Sequence, residues 1–288
     1  MPELPEVEIL VRHLRPALHS RVIRDLKVYR PKVVRPETPD ALRAVLQGKV
    51  FREVRRRAKY LIFDLETPTR GKDSLLGVTL IGHLGMTGRM FVQSKGQPLP
   101  KHTAVTLDLG DEVFVFEDTR YFGRLNLDAA ALSQLGPEPL DDTFTPDALR
   151  AGLGTSRQAI KIKLLDQTVV AGVGNIYASE ALFRAGINPR RGAQRLKPAD
   201  LTRLVASIRE VLLEAIQFGS TIPLEFSSTG RKDGLFYYGQ SAGGGEFYVE
   251  RLRVYDRADQ PCLQCGSPIQ RLVQAARSTF WCRHCQTA

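Results

Sequence analysis

All four cysteines of the chain fall near its end, at Cys262, Cys265, Cys282 and Cys285, in the spacing C-x2-C-x16-C-x2-C. That spacing is a zinc pattern. Four thiolates suit a closed tetrahedral site, with each C-x2-C pair forming a tight knuckle. Two disulfides are the competing reading, but cytoplasmic thiols stay reduced. A redox C-x-x-C would need no second copy. The expected cofactor is one structural Zn2+, with no open coordination position.

The other end of the chain carries a different chemistry. It begins Met1-Pro2-Glu3-Leu4-Pro5-Glu6. Removal of Met1 would leave Pro2 as a secondary amine at the N-terminus. An α-amino group titrates at about 7.7–8.0, so part of it is neutral and nucleophilic near neutrality. Such an amine attacking a sugar C1′ gives an iminium ion, an electron sink that labilises neighbouring C–H bonds. Glu3 and Glu6 stand close by in sequence as proton donors or acceptors. An ordinary helix start also explains these residues, since proline and acidic side chains are both favoured there.

Two further segments suit an anionic ligand. Arg55-Arg56-Arg57-Ala58-Lys59-Tyr60 precedes an apolar strand and reads either as a phosphate-binding edge or as a solvated edge that resists aggregation. Gly172-Val173-Gly174-Asn175 opens a helix and presents free backbone N–H groups, which bind phosphate well. A plain helix hairpin accounts for it equally. A dinucleotide fingerprint is excluded, because Tyr177 stands where the third glycine belongs and no parallel βαβ pattern surrounds it.

These groups need a scaffold. The chain has 288 residues, 43% hydrophobic, enough for about two domains. Its formal net charge of +10 favours a polyanionic partner, nucleic acid before membrane. No apolar run is long enough to span a bilayer, and the acidic N-terminus is no signal peptide, so a cytoplasmic location is expected. Residues 4–18 read as a helix, with Val7, Leu10, Val11, Leu14 and Leu18 on one face. Strand patterns then run to about residue 127 (VIRDLKVY, KYLIFDL, LLGVTLIGHLGM, AVTLDL, EVFVFED and RLNL), which suggests a β-sandwich. An exposed loop is expected at 67–73 and a linker at 135–142. Beyond it the chain turns helical, with an apolar stripe from Leu201 to Ile216 ended by Gly219. Residues 220–246 are rich in Gly and Ser and read as a long mobile loop, of a kind that is often functional in a compact domain. Two strands and a turn are expected between the cysteine pairs, with Trp281 packing beside the knuckle.

Taken in order along the chain, six motifs resemble the bacterial formamidopyrimidine-DNA glycosylase family. They are the Met1–Glu6 start, Arg57-Ala58-Lys59-Tyr60, His83-Leu84-Gly85-Met86-Thr87-Gly88, Asp118-Thr119-Arg120-Tyr121-Phe122-Gly123, Gly172-Val173-Gly174-Asn175-Ile176-Tyr177-Ala178-Ser179-Glu180 and the four-cysteine segment. Leu4 after Pro2-Glu3 favours this family over its sister, endonuclease eight, which usually has glycine there.

The resemblance implies an α+β fold: an N-terminal two-layered β-sandwich with an N-terminal helix (1–135), a helix–two-turn–helix domain with a lesion-recognition loop (136–245) and a C-terminal four-cysteine zinc finger (246–288). It implies a monomeric base-excision repair enzyme, associated with the bacterial nucleoid, whose partner is damaged double-stranded DNA and which uses no nucleotide cofactor. Oxidised purines, 8-oxoguanine and formamidopyrimidines, would be flipped out of the duplex and released by attack of Pro2 on C1′. β- and δ-elimination would then cut the strand on both sides. By resemblance, Glu3 handles the sugar-ring oxygen and proton transfers, with Glu6 in support. Lys59 is the proton donor for β-elimination and Arg277 for δ-elimination. Lys59 would also depress the Pro2 amine pKa, against a rise caused by Glu3. Lys59, His83, Asn175 and Arg277 would grip phosphates, with Lys161 and Tyr255 near the DNA backbone. Met86, Arg120 and Phe122 would fill the gap left by the flipped nucleotide, where an apolar wedge and an arginine facing the orphaned base make physical sense. Lesion preference is the open transfer, because Leu224–Gly245 departs from the family pattern. The competing functions are an oxidised-pyrimidine glycosylase of the endonuclease eight type and a non-catalytic zinc protein that only binds nucleic acid.

Overall fold

The computed structural model describes residues 2–67, 77–218 and 251–287, with the backbone of two short strands, Thr221–Pro223 and Leu235–Tyr237. Most of the expected loops at 67–73 and 220–246 lie outside the described residues. The chain forms two compact units, one built on residues 6–132 with Pro2 and 221–238, the other on Glu3–Pro5, 133–220 and 239–288.

In the first unit the leading helix α1 (Leu4–Leu18) has the expected bounds. Its stripe of Val7, Leu10, Val11, Leu14 and Leu18 is buried. Strand β1 (Asp25–Val28) is followed by helix α2 (Pro39–Leu46), which the strand-dominated reading does not anticipate. Its start is nevertheless local: Thr38 caps the Ala41 N–H at 3.2 Å and Pro39 occupies the first turn, where no N–H is missed. Then come β2 (Val50–Arg57), β3 (Tyr60–Glu66), β4 (Val78–His83), β5 (Gly88–Ser94), β6 (Thr103–Asp108), β7 (Glu112–Asp118) and β8 (Arg124–Asn126). They form two four-stranded antiparallel sheets, ordered β2-β3-β4-β8 and β1-β6-β7-β5. Inward residues of both sheets, among them Phe51, Leu61, Phe63, Leu80, Leu107, Phe114 and Phe116, share one core. Phe63 meets Phe114 edge-on at 5.8 Å. This is the expected two-layered sandwich.

The second unit is helical. It follows α3 (Ala130–Ser133) with α4 (Pro146–Leu153), α5 (Ile160–Leu165), α6 (Asn175–Arg184) and α7 (Pro198–Phe218). The stripe read on α7 is buried from Leu201 to Leu212, and Leu4 packs into the same core. Two strands that belong to the first unit, β9 (Thr221–Pro223) and β10 (Leu235–Tyr237), pair antiparallel. The finger hairpin is β11 (Gln270–Gln274) and β12 (Arg277–Trp281), around a small core of Phe183, Val254, Ile269 and Phe280. Trp281 is buried, with the Arg190 guanidinium 5.5 Å from its ring centre.

Candidate active site and zinc centre

In the first unit the basic edge divides its work. Arg55 is paired with Asp64 at 2.6 Å and Arg56 with Glu8 at 2.9 Å, so both guanidiniums already have carboxylate partners. Lys59 stands apart from them by position. Arg57 pairs with Tyr60 across a two-residue turn, which puts Ala58 and Lys59 at the hairpin tip. Tyr60 in turn lies opposite His83, and His83 opposite Arg124. The Tyr60 and His83 rings meet at a tilt of 48°, with centroids 4.8 Å apart. One end of the sheet therefore carries Lys59, His83 and Arg124 together. Burial, then the positive charges of Lys59 and Arg124, push the His83 pKa down to about 4. His83 is thus neutral at physiological pH. Its Nδ1 accepts the Gly85 N–H at 3.1 Å, which leaves the proton on Nε2 as a donor.

The loops following β4 and β7 are locked to each other. Asp118, fully buried, accepts Thr87 Oγ1 at 2.6 Å, the Arg120 N–H at 3.1 Å and the Gly123 N–H at 2.8 Å. Gly85 has φ +62°, and a Cβ there would stand 2.6 Å from the Gly123 nitrogen. Only glycine permits that approach. The contact brings Met86, Arg120 and Phe122 together: Arg120 Nη1 lies 3.2 Å from Met86 Sδ and its guanidinium 4.7 Å from the Phe122 ring centre. Met86 and Phe122 are 43% and 51% exposed, well above the usual burial of such side chains, so they form an apolar projection rather than a piece of core. Pro2 and Glu6 are buried.

In the second unit the Glu3 carboxylate accepts the Ile176 and Tyr177 N–H groups at 3.0 and 3.3 Å, at the N-terminus of α6. The Gly-x-Gly-Asn turn therefore does present free amides to an anion, and that anion is the protein's own carboxylate. Asn175 donates through Nδ2 to the Ser278 carbonyl at 3.0 Å and hydrogen-bonds the Tyr255 hydroxyl. Lys161 donates to the same carbonyl at 3.0 Å and to Thr279 Oγ1 at 2.8 Å. Burial lowers the Lys161 pKa to about 7, partly countered by Glu3. With 1% of its surface exposed, Lys161 has no free face for a phosphate. Its ammonium holds strand β12. Arg277, at the start of that strand, is exposed and has no partner among the described residues. Glu180 and Asp118 stand in motifs read from the sequence, but their roles appear only here. The buried Glu180 carboxylate accepts the N–H groups of Arg253, Val254 and Tyr255 at 2.8–2.9 Å, fastening the finger to α6.

Comparison with known proteins decides the family. Residues 1–125 match the formamidopyrimidine-DNA glycosylase N-terminal domain, 135–226 the formamidopyrimidine-DNA glycosylase H2TH domain, and 259–288 the zinc finger found in FPG and IleRS. The chain belongs to the formamidopyrimidine-DNA glycosylase family. It is 36% identical to the formamidopyrimidine-DNA glycosylase of Carboxydothermus hydrogenoformans, covering 99% of this chain and 100% of the relative. It is 40% identical to that of Paracoccus denitrificans, with the same coverage. Among solved structures it is similar to Lactococcus lactis Fpg bound to abasic-site DNA, at TM-score 0.83 and 32% identity, over 99% of this chain and 100% of the other. The wild-type Lactococcus lactis Fpg bound to N7-benzyl-Fapy-dG DNA matches at TM-score 0.83 and 32% identity, over the whole of both chains.

The family's finger needs a metal, and these residues fit one. The four Sγ atoms lie within 4.8 Å of one another. Cys262 and Cys285 sulfurs are 3.9 Å apart and those of Cys265 and Cys282 3.5 Å. Tetrahedral zinc with ~2.3 Å bonds sets its sulfurs about 3.8 Å apart. A disulfide needs ~2.05 Å, so these pairs are not bridged. Hydrogen bonds from the Ser267 side chain and amide lower the Cys265 thiol pKa, whereas burial and the neighbouring thiols raise those of Cys282 and Cys285.

Proposed function

We propose that this chain is a base-excision DNA glycosylase with AP lyase activity, acting on oxidised purines in duplex DNA. The supporting relatives are glycosylases, and related structures hold formamidopyrimidine and abasic-site DNA. The observation that carries the reading is the Glu3 carboxylate, buried and held by two amides, directly after Pro2.

With Met1 removed, the Pro2 nitrogen attacks C1′ of the damaged nucleotide. The N-glycosidic bond breaks and its electron pair leaves with the base. Glu3, fixed on α6, supports the developing positive charge at C1′ and the sugar-ring oxygen, and relays protons; Glu6 is buried in support. The Pro2 nitrogen then loses its proton and its electron pair forms the C1′=N iminium as the C1′–O4′ bond breaks, O4′ taking a proton from Glu3, and the iminium acidifies the C2′ hydrogens. Loss of one proton expels the 3′ phosphate in β-elimination, with Lys59 as the proton donor. A second elimination expels the 5′ phosphate, with Arg277 as the donor. His83, Asn175, Arg277 and Tyr255 fix the backbone, and Met86, Arg120 and Phe122 fill the vacated stack. One zinc ion on the four cysteines is structural and supports the finger fold. Residues 1–135, 136–245 and 246–288 act as catalytic, DNA-binding and finger segments of a cytoplasmic, nucleoid-associated monomer.

Borohydride trapping on duplexes carrying 8-oxoguanine, formamidopyrimidine or thymine glycol tests mechanism and base preference together. A covalent adduct mapping to Pro2, strongest on the oxidised purines, is expected. An adduct that maps to Lys59, or that forms best on thymine glycol, overturns the nucleophile or the substrate class respectively.

A further inference from the structure

Between Gly154 and Arg203 the sequence carries nine Lys and Arg residues against three carboxylates. All three carboxylates are committed. Asp166 accepts Lys163, Glu180 accepts the backbone of Arg253–Tyr255, and Asp200 is paired with Arg191 at 3.2 Å and Arg203 at 2.6 Å. Several of the cations are left over, and the fold gathers them. The segment following α6 is stitched to the segment preceding α5: Ile160 N–H donates to the Arg191 carbonyl at 2.7 Å, Ala193 to Gln158 at 2.9 Å and Gln194 to Ser156 at 2.9 Å. Arg157, Arg190, Arg195 and Lys197 are exposed on this joined surface. None of them has a carboxylate partner among the described residues. Arg190, Arg195 and Lys197 rim an open concavity of about 530 Å³.

The surface is built to hold its shape. Asn188 Oδ1 accepts the Arg190 N–H at 3.0 Å, and the Arg190 guanidinium lies 5.5 Å from the Trp281 ring centre. Arg191 braces the loop by donating to the Arg195 carbonyl at 2.8 Å. The loop also continues into the finger hairpin, since Gln274 donates to the Pro189 carbonyl at 3.3 Å. That hairpin carries Arg277 on its other strand.

We propose that Arg190, Arg195 and Lys197, with Arg157 beside them, form a second phosphate-binding surface that grips undamaged duplex DNA independently of the lesion. Unpaired exposed cations on a braced loop favour a polyanion with regularly spaced charges. Continuity with the hairpin of Arg277 favours the DNA backbone over another polyanion. The proposal rests on the reading of this chain as a DNA-acting enzyme. Its role is in scanning: contacts to phosphate fix the protein on any sequence and carry no base information.

The test is the salt dependence of binding to a lesion-free duplex, measured by anisotropy for the full-length protein and for R190S/R195S/K197S. Arg191 is kept because it braces the loop. Removing three phosphate contacts makes the slope of log affinity on log salt shallower by about 2.7. Single-turnover excision at saturating enzyme is expected to change less than twofold. A control variant, K32S/R52S/R150S, removes three exposed cations elsewhere and is expected to keep the slope. An unchanged slope in the first variant overturns the proposal, as does an equal loss in the control. So does an unchanged slope on DNA accompanied by lost affinity for inorganic polyphosphate, which would assign the surface to a small polyanion. Wild-type protein that binds duplex with the steep slope yet releases no oxidised purine overturns the proposed function and leaves this surface standing.

Discussion

A Cβ added at Gly174 would lie 2.3 Å from the carboxyl carbon of Glu3. Gly174 has no positive φ to demand glycine, so its role is space. The missing side chain is what lets the carboxylate reach the amides of Ile176 and Tyr177. Gly174→Ala must displace Glu3, and a misplacement of about 1 Å at a reacting centre costs on the order of 100-fold in rate. Single-turnover excision is expected to fall by about that factor, with zinc content unchanged. Excision at the wild-type rate would show that Glu3 does not act from this seat.

His83 offers a test of charge. Its pKa of about 4 makes it a neutral donor, so His83→Gln is expected to weaken DNA binding without changing the salt slope, whereas Arg277→Ser flattens the slope by about one. The folded value lies below the ordinary 6.5, so the native state binds fewer protons than the unfolded chain between those values. The resulting stability is present above pH 6.5 and lost as pH falls towards 4. NMR titration of the ring from pH 8 to 5 is expected to show no protonation.

Lys161 has the same sign in a higher pH range. Its folded pKa of about 7 lies below the ordinary 10.5. Between these values the unfolded chain holds a proton that the native state has released, so stability attributable to this group rises with pH. Relative to Lys161→Met, the wild type is expected to gain stability from pH 7 to pH 10, read from urea melts at each pH. A difference independent of pH would mean that the lysine keeps its ordinary pKa in the folded protein.

The turn before Arg277 is strained by its composition. Ala275 and Ala276 have φ of +47° and +58°, and Gln274 pairs directly with Arg277 across them. Two-residue hairpins with both central residues left-handed prefer Asn-Gly. Ala275→Asn with Ala276→Gly is expected to stabilise the finger by roughly 1–2 kcal/mol, seen as slower hydrogen exchange in β11 and β12. Activity should be retained, because Arg277 keeps its register.

Metal removal should act through folding. The finger core is small, and zinc contributes about 10–16 kcal/mol to folding in such sites. A strong chelator, or Cys282→Ser, is expected to melt the hairpin and abolish DNA binding, while near-UV signals from the sandwich persist. Zinc-free protein with full lesion affinity would contradict this account.

Where interactions are local, the sequence alone determines the outcome. Thr-Pro-Asp-Ala-Leu-Arg-Ala occurs at 38–44 and again at 145–151. Both copies open a helix, with the threonine capping the residue three ahead at 3.2 and 3.1 Å. The stripe of α1, the strand patterns, the β-hairpin of the finger and the cysteine spacing are legible for the same reason: each is a short-range periodicity or a fixed separation. What the tertiary structure decides depends on partners far away in the chain. Arg56 reads equally as part of a phosphate-binding edge or of a solvated one until Glu8, 48 residues away, is seen to hold it. Nothing in the segment around Lys161 announces that Thr279, 118 residues away, holds its ammonium. Glu3 becomes a fixed carboxylate only through amides 173 and 174 residues on. No window of sequence contains both members of such a pair. Residue types and spacing can therefore name the groups that do chemistry, whereas their charge, burial and aim are set by which distant segments the fold brings against them.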